Sequence, residues 1–182
     1  MNSSLINNLI NLALFQGVWF ITVIGAAQGN TWYGIAGLSC FICIHYFVAH
    51  TVKADFLLAT AAILLGLIIE TTLIQTGALN YTHSITSPQL APLWMLILWA
   101  NLALTLNGCL RWLQGRYVLA AILGAAGGPL TYFGGMKLGA ATSTLPLVTT
   151  LGVIAIIYAF ITPLLLLIAK QITQFTQASK YT

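Results

Sequence analysis

The sequence predicts an all-α, polytopic membrane protein of six spans, and three observations lead there. Its 182 residues are 59% hydrophobic and 4% charged, with a mean hydropathy of +0.96, whereas soluble chains carry about a quarter charged residues. The apolar residues gather into six runs near the roughly 20 residues that a helical span needs. The basic residues between those runs fall almost entirely on alternate loops. Little chain remains for a soluble region, so residues 1–182 are read as one integral membrane domain.

The elements follow in order. Residues 9–27 form the first run, and "QGN" makes a tight turn into the second, residues 32–49. The N-terminal "MNSSLINNLINLALF" has no Lys or Arg ahead of its apolar stretch, so it reads as a retained span rather than a cleaved signal peptide. "HTVKAD" leads into the third run, residues 54–74, and the polar loop "QTGALNYTHSITSPQ" into the fourth, residues 92–110, where Pro88 and Pro92 suit a helix start. "RWLQGR" precedes the fifth, residues 117–136, and the sixth covers residues 145–169 with Pro163 inside it. With six spans, Lys53, Arg111, Arg116, Lys170 and Lys180 share one side and Lys137 alone takes the other. Cytoplasmic loops carry the excess of Lys and Arg, so both termini are expected in the cytoplasm.

Several function classes drop out. A net charge of +4 spread over scattered residues is no nucleic-acid footprint. Among the histidines, His45 and His50 are five apart and about 140° round a helix, which is not the shared face of a metal pair, and His83 is in a loop. No metal or cofactor is therefore expected. Cys40 and Cys43 match CxxC but lie mid-span, where burial suppresses the reactive thiolate. Ser39 lacks the flanking glycine of an intramembrane serine protease, and HExxH is absent. No catalytic constellation is recognisable.

The run "GAAGGPLTYFGGMKLGA", Gly124 to Ala140, holds six glycines, Pro129 and Lys137. It lacks the spacing of a phosphate loop, since Lys137 is followed by Leu138. Gly124 and Gly128 are four apart, as are Gly135 and Gly139, so all four share a face if the helix continues. Two readings are open: close packing against another span, or a helix broken at Pro129 that lines a polar cavity.

Ionisable groups inside spans are functional candidates by default. Glu70 is the one acid deep in a predicted span, roughly 24 Å along the third at 1.5 Å per residue, and Lys137 lies roughly 30 Å along the fifth. They are expected at similar depth near the outer face, paired or together holding an amphiphile's polar head; separate snorkelling to the interface is the alternative. Asn101 and Tyr132 complete the candidate ligand-binding set. Near the cytoplasmic end, His45 and His50 read as interfacial polar residues, with Asn107 and Arg111 one turn apart in the fourth run, while Asn11, Gln16, Asn101, Thr105, Thr131 and Tyr132 read by default as interhelical hydrogen-bonding groups whose number still permits a small polar pocket.

"FQGVWFITVIGAA", "LLGLIIET", "PLWMLILW" with "TLNGCLRWL", and the glycine run together resemble a family of small bacterial inner-membrane proteins catalogued only as a domain of unknown function. Glu70 and Asn101 stand where the resemblance implies an Asp and an aromatic. The resemblance implies a bacterial inner membrane and, because members are encoded near lipid-modifying enzymes, lipid-linked work. The expected function is binding or moving a small lipid-derived amphiphile as an accessory to lipid metabolism. Two alternatives stay open. One is a membrane enzyme modifying acyl chains, with Glu70 or His45 as acid or base; the other is a structural or assembly subunit whose glycine face docks a partner helix or a second copy. The expected partners are the bilayer, a lipid-derived ligand and such a membrane protein.

Overall fold

The computed structural model describes residues 3–49, 51–83 and 87–178; His50 and Lys180 lie outside them. The described chain is an all-α bundle of α1 (Ser3–Ala27), α2 (Trp32–Val48), α3 (Val52–Gln75), α4 (Leu93–Leu106), α5 (Tyr117–Lys137) and α6 (Leu147–Ala178). Four of these, α1, α3, α5 and α6, are long and apolar enough to cross a membrane, which makes this a multi-pass membrane protein. The other two are apolar but shorter, 17 residues in α2 and 14 in α4. At 1.5 Å per residue they reach about 26 and 21 Å, less than a hydrocarbon core of about 30 Å.

The structure departs from the sequence reading at α1, which begins at Ser3 rather than residue 9, and at α4 and α6. The fourth run was expected to stay helical to residue 110, but α4 stops at Leu106. Asn11 of α1 ends it: its amide donates to the Leu104 carbonyl at 3.0 Å, and its side-chain oxygen accepts from the Cys109 N–H at 3.1 Å. One side chain thus satisfies a carbonyl and an N–H that a helix end leaves open. A side chain at Gly108 would block this, since its Cβ would sit 2.7 Å from Asn11 Oδ1. A 3-10 turn, Arg111–Leu113, then leads to α5. At the other end of the chain, α6 starts behind Pro146 and runs past residue 169 to Ala178. Ile172 continues the inner face against the core, and Thr176 bonds back to its carbonyl at 2.9 Å.

Helix α1 packs on α2 and α4, α3 on α4 and α6, and α5 on α6. Glycines set the closest approaches. In α2, Gly34 and Gly37 face Thr22 and Ile21 of α1. In α5, Gly124 lies against the Tyr158 carbonyl and Thr162, and Gly128 against the Tyr158 ring. The helix runs unbroken through Pro129, so a broken helix is not what forms here. The four glycines also do not form one packing face: Gly135 has nothing within 4 Å of an added Cβ, and Gly139 lies beyond the helix at φ +85°. Gly139 serves as the left-handed residue that lets the chain leave α5, a conformation glycine adopts without steric cost.

At the end of the bundle where α3 and α5 finish, two connections pair. Strand β1 (Asn80–Tyr81) lies antiparallel to β2 (Ala141–Thr142), with Asn80 opposite Thr142 and Tyr81 opposite Ala141. Ser143 and Thr144 add hydroxyl bonds to the carbonyls of Ala78 and Gly77, at 2.8 and 2.5 Å. This cap fixes Tyr81 over the end of the bundle.

The α5–α6 seam gives a matched test. A methyl at Gly128 would sit 2.6 Å from Tyr158 Cγ, whereas Gly127 faces open space. Thermal denaturation in detergent should show Gly128→Ala destabilised by about 1–3 kcal/mol, the usual cost of overpacking. Gly127→Ala should be neutral or slightly stabilising through helix propensity.

Candidate functional site

Glu70 sits on α3 one turn beyond Gly66, fully buried. The missing side chain at Gly66 brings the Trp99 ring of α4 onto the α3 backbone, where an added Cβ would be 2.4 Å from Trp99 Cγ. From there the indole donates to Glu70 Oε1 at 2.8 Å. Tyr132 of α5 donates to the same oxygen at 2.5 Å, and Tyr81 of the β-cap donates to Oε2. Tyr158 of α6 stands 3.4 Å from the Tyr132 hydroxyl, its ring 5.9 Å from that of Trp99. Burial first, and the neighbouring Glu70 second, hold the Tyr81 phenol protonated well above its ordinary range, so it remains a donor. A cavity of about 20 Å³ borders Tyr81 and Tyr132, room for about one water. The cluster is a closed structural hub with no space for a ligand.

A second acid is as deeply buried. Asp55, at the start of the third run and not singled out from the sequence, lies in the first turn of α3 and is fully enclosed. That corrects the reading of Glu70 as the one buried acid. Its Oδ2 accepts from Thr51 at 2.9 Å and lies 2.9 Å from His45 Nε2, and its Oδ1 accepts from Asn107 at 2.7 Å. Gln114 in turn holds Asn107 at 2.8 Å and the Leu106 carbonyl at 3.1 Å. The short α2–α3 connection permits this by bringing the last turn of α2 over the first turn of α3. His45 is thus a buried partner of Asp55 rather than an interfacial residue. A carboxylate only accepts, so Nε2 donates to it; Nδ1 has no hydrogen-bond partner among the described residues.

His45 lines a cavity of about 580 Å³ where the start of α1 meets the ends of α2 and α4. From α1 come a polar stripe, Asn7 and Asn11, and beside it an apolar one, Ile10 and Leu14; α2 presents Phe41, Ile44, His45 and Val48 at helical spacing. Asn107, Cys109, Arg111 and Trp112 close it from beyond α4. Burial pushes the Cys109 thiol up to about 11, so it is no thiolate nucleophile at neutral pH. The described residues contain no group of three or more His, Cys, Asp or Glu placed to hold a metal.

The candidates chosen from sequence are therefore scattered. Glu70 and Tyr132 come together. Lys137 does not join them: it is exposed, with its ammonium 5.4 Å over the Phe133 ring. Asn101 is buried elsewhere and donates to the Phe15 carbonyl of α1 at 3.0 Å, tying two helices. Sequence reasoning missed Trp99, Tyr81, Asp55, Thr51 and Gln114. One signal was present, because Asp55 is one of two acids in the chain and stands ten residues from His45 across a turn.

The hub makes a stability prediction. Glu70→Leu would leave the Tyr81, Trp99 and Tyr132 donors without their acceptor, and each buried donor left unsatisfied costs about 1–3 kcal/mol. Tyr132→Phe removes one donor and should cost about 1–3 kcal/mol. Melting curves in one detergent should rank wild type above Tyr132→Phe above Glu70→Leu, and equal melting points would refute the hub.

No curated protein and no solved structure matches the chain. A family model described as Protein of unknown function (DUF2878) matches residues 8–164, from the first turns of α1 well into α6. That match covers most of the molecule, both acid clusters and all of the cavity lining but Asn7 included, and the chain belongs to the DUF2878 family.

Proposed function

We propose that this protein binds, and presents or moves, a small lipid-derived amphiphile as an accessory to lipid metabolism, and that the cavity between α1, α2 and α4 is its site. The observation that carries this reading is the cavity's mixed lining: about 580 Å³ bordered by the apolar Ile10, Leu14, Phe41, Ile44 and Val48 and by the polar Asn7, Asn8, His45 and Arg111. Ligand sites have this character, a mostly apolar pocket with a few polar groups that orient the guest. In this reading that end faces the cytoplasm, which the basic residues Lys53, Arg111 and Arg116 on its connections support. Glu70 and Tyr132 serve the site by holding the far end of the bundle rigid, and Lys137 is left to the opposite interface.

One observation favours a second reading. His45 lines the cavity with its Nε2 held by Asp55 and its Nδ1 unbonded among the described residues, an arrangement that suits an imidazole general base. A membrane enzyme working on the bound amphiphile would use it. The scaffold reading has less support, because Gly124 and Gly128 are already covered by α6.

Native mass spectrometry of protein purified in mild detergent separates these. Wild type should retain a specific amphiphile, and Ile44→Trp, which fills the cavity, should lose it while keeping the wild-type melting point. Retention in Ile44→Trp with loss in Lys137→Met would move the site to the other end of the bundle. An enzyme would show a changed host lipid profile on expression, abolished in His45→Ala.

A further inference from the structure

Resting on the binding reading above, we infer that the amphiphile's head is anionic, a phosphate or carboxylate, and that Arg111 is the residue that selects it. The chain has six Lys and Arg against two Asp and Glu. Both acids are fully buried, Glu70 among Tyr81, Trp99 and Tyr132 and Asp55 among His45, Thr51 and Asn107. No side-chain carboxylate remains to neutralise an exposed basic residue.

Arg111 is such a residue, and it borders the cavity. No acidic side chain lines that cavity among the described residues. Asp55, the nearest acid in the network, is behind His45 with both oxygens already taken. The remaining polar lining is amide. Asn11 and Asn107 are engaged in protein hydrogen bonds, while Asn7 and Asn8 have no side-chain partner among the described residues. A cation without a counter-ion, beside free amides and low-dielectric walls, raises the local concentration of anions. The guanidinium fork also matches a carboxylate or phosphate through two parallel hydrogen bonds, which a zwitterionic head masked by its own ammonium uses less well. The apolar stripes of α1 and α2 then take the chain. Arg116, the other arginine of this connection, stacks over Trp112 at 6.0 Å and does not line the cavity.

The test is a binding comparison on the full chain in a nonionic detergent, with three probes: dihexanoyl phosphatidic acid, dihexanoyl phosphatidylcholine and inorganic phosphate. Wild type should prefer the phosphatidic acid over the phosphatidylcholine by about tenfold or more, the scale of one charge-assisted hydrogen bond. Arg111→Gln should bring the two lipids to equal affinity, Arg111→Lys should restore part of the preference, and Arg116→Gln should leave it intact. Equal binding of both lipids by wild type, or a preference that survives Arg111→Gln, overturns the anionic head while the amphiphile reading stands. Inorganic phosphate binding as tightly as the lipid would uphold Arg111 as an anion site and sink the amphiphile. Failure of every probe to bind overturns both.

Discussion

The fold hangs on one buried carboxylate. In lipid, a polar group without a partner has no water to fall back on, so a cluster such as that of Glu70 is stabilising only when complete. It is complete because four separate parts of the chain converge on it: α3 supplies the acid, α4 the indole of Trp99, α5 the phenol of Tyr132, and the β-cap the phenol of Tyr81. Helix α5 packs chiefly along α6, and Tyr132 is the residue that ties it directly to the α3–α4 core. The glycine at position 66 and the two-stranded cap place two of the donors, Trp99 and Tyr81.

The second acid does a different job by the same chemistry. Asp55 is equally buried and equally well bonded, but one of its partners, His45, presents its other face to a large cavity. The bundle therefore has a closed polar cluster at one end and an open one at the other, with about 20 Å³ of free space beside the first and about 580 Å³ beside the second. Spending both acids internally also leaves every exposed Lys and Arg without a side-chain carboxylate. The uncompensated charge at the cavity mouth follows from that burial.

Hydropathy made the helices legible because apolar runs of 17 residues or more have few other folds available in lipid. It misplaced the end of α4 because the stop is a tertiary event: Asn11, ninety-three residues away in sequence from the carbonyl it caps, decides where the helix ends. Glu70 was legible as an isolated acid in an apolar run, but its partners were not, since aromatic residues in spans read as packing until a carboxylate is seen among them. Asp55 was hidden by its neighbours: "HTVKAD" looks like a loop, and only the turn of the chain over it buries the acid. Lys137 and Glu70 share a depth by residue counting, yet depth along an axis says nothing about the facing direction round it, and the two point to different surroundings.

The cavity itself follows from the shortness of α4. The residues that follow its end, Asn107 to Cys109, and then Arg111 and Trp112 form one wall of the cavity. The chain turns at Asn107 and Gly108, Asn11 satisfies the exposed backbone, and Gln114 supports the Leu106 carbonyl. A helix end inside a bundle would ordinarily be costly, and here each stabilising contact comes from a polar side chain that also borders or supports the cavity wall. Asn11 caps and lines; Asn107 lines and holds Asp55; Asp55 holds His45. Stability and an open polar site are thus satisfied by one hydrogen-bonded chain of side chains, which explains how so apolar a protein keeps such a space open.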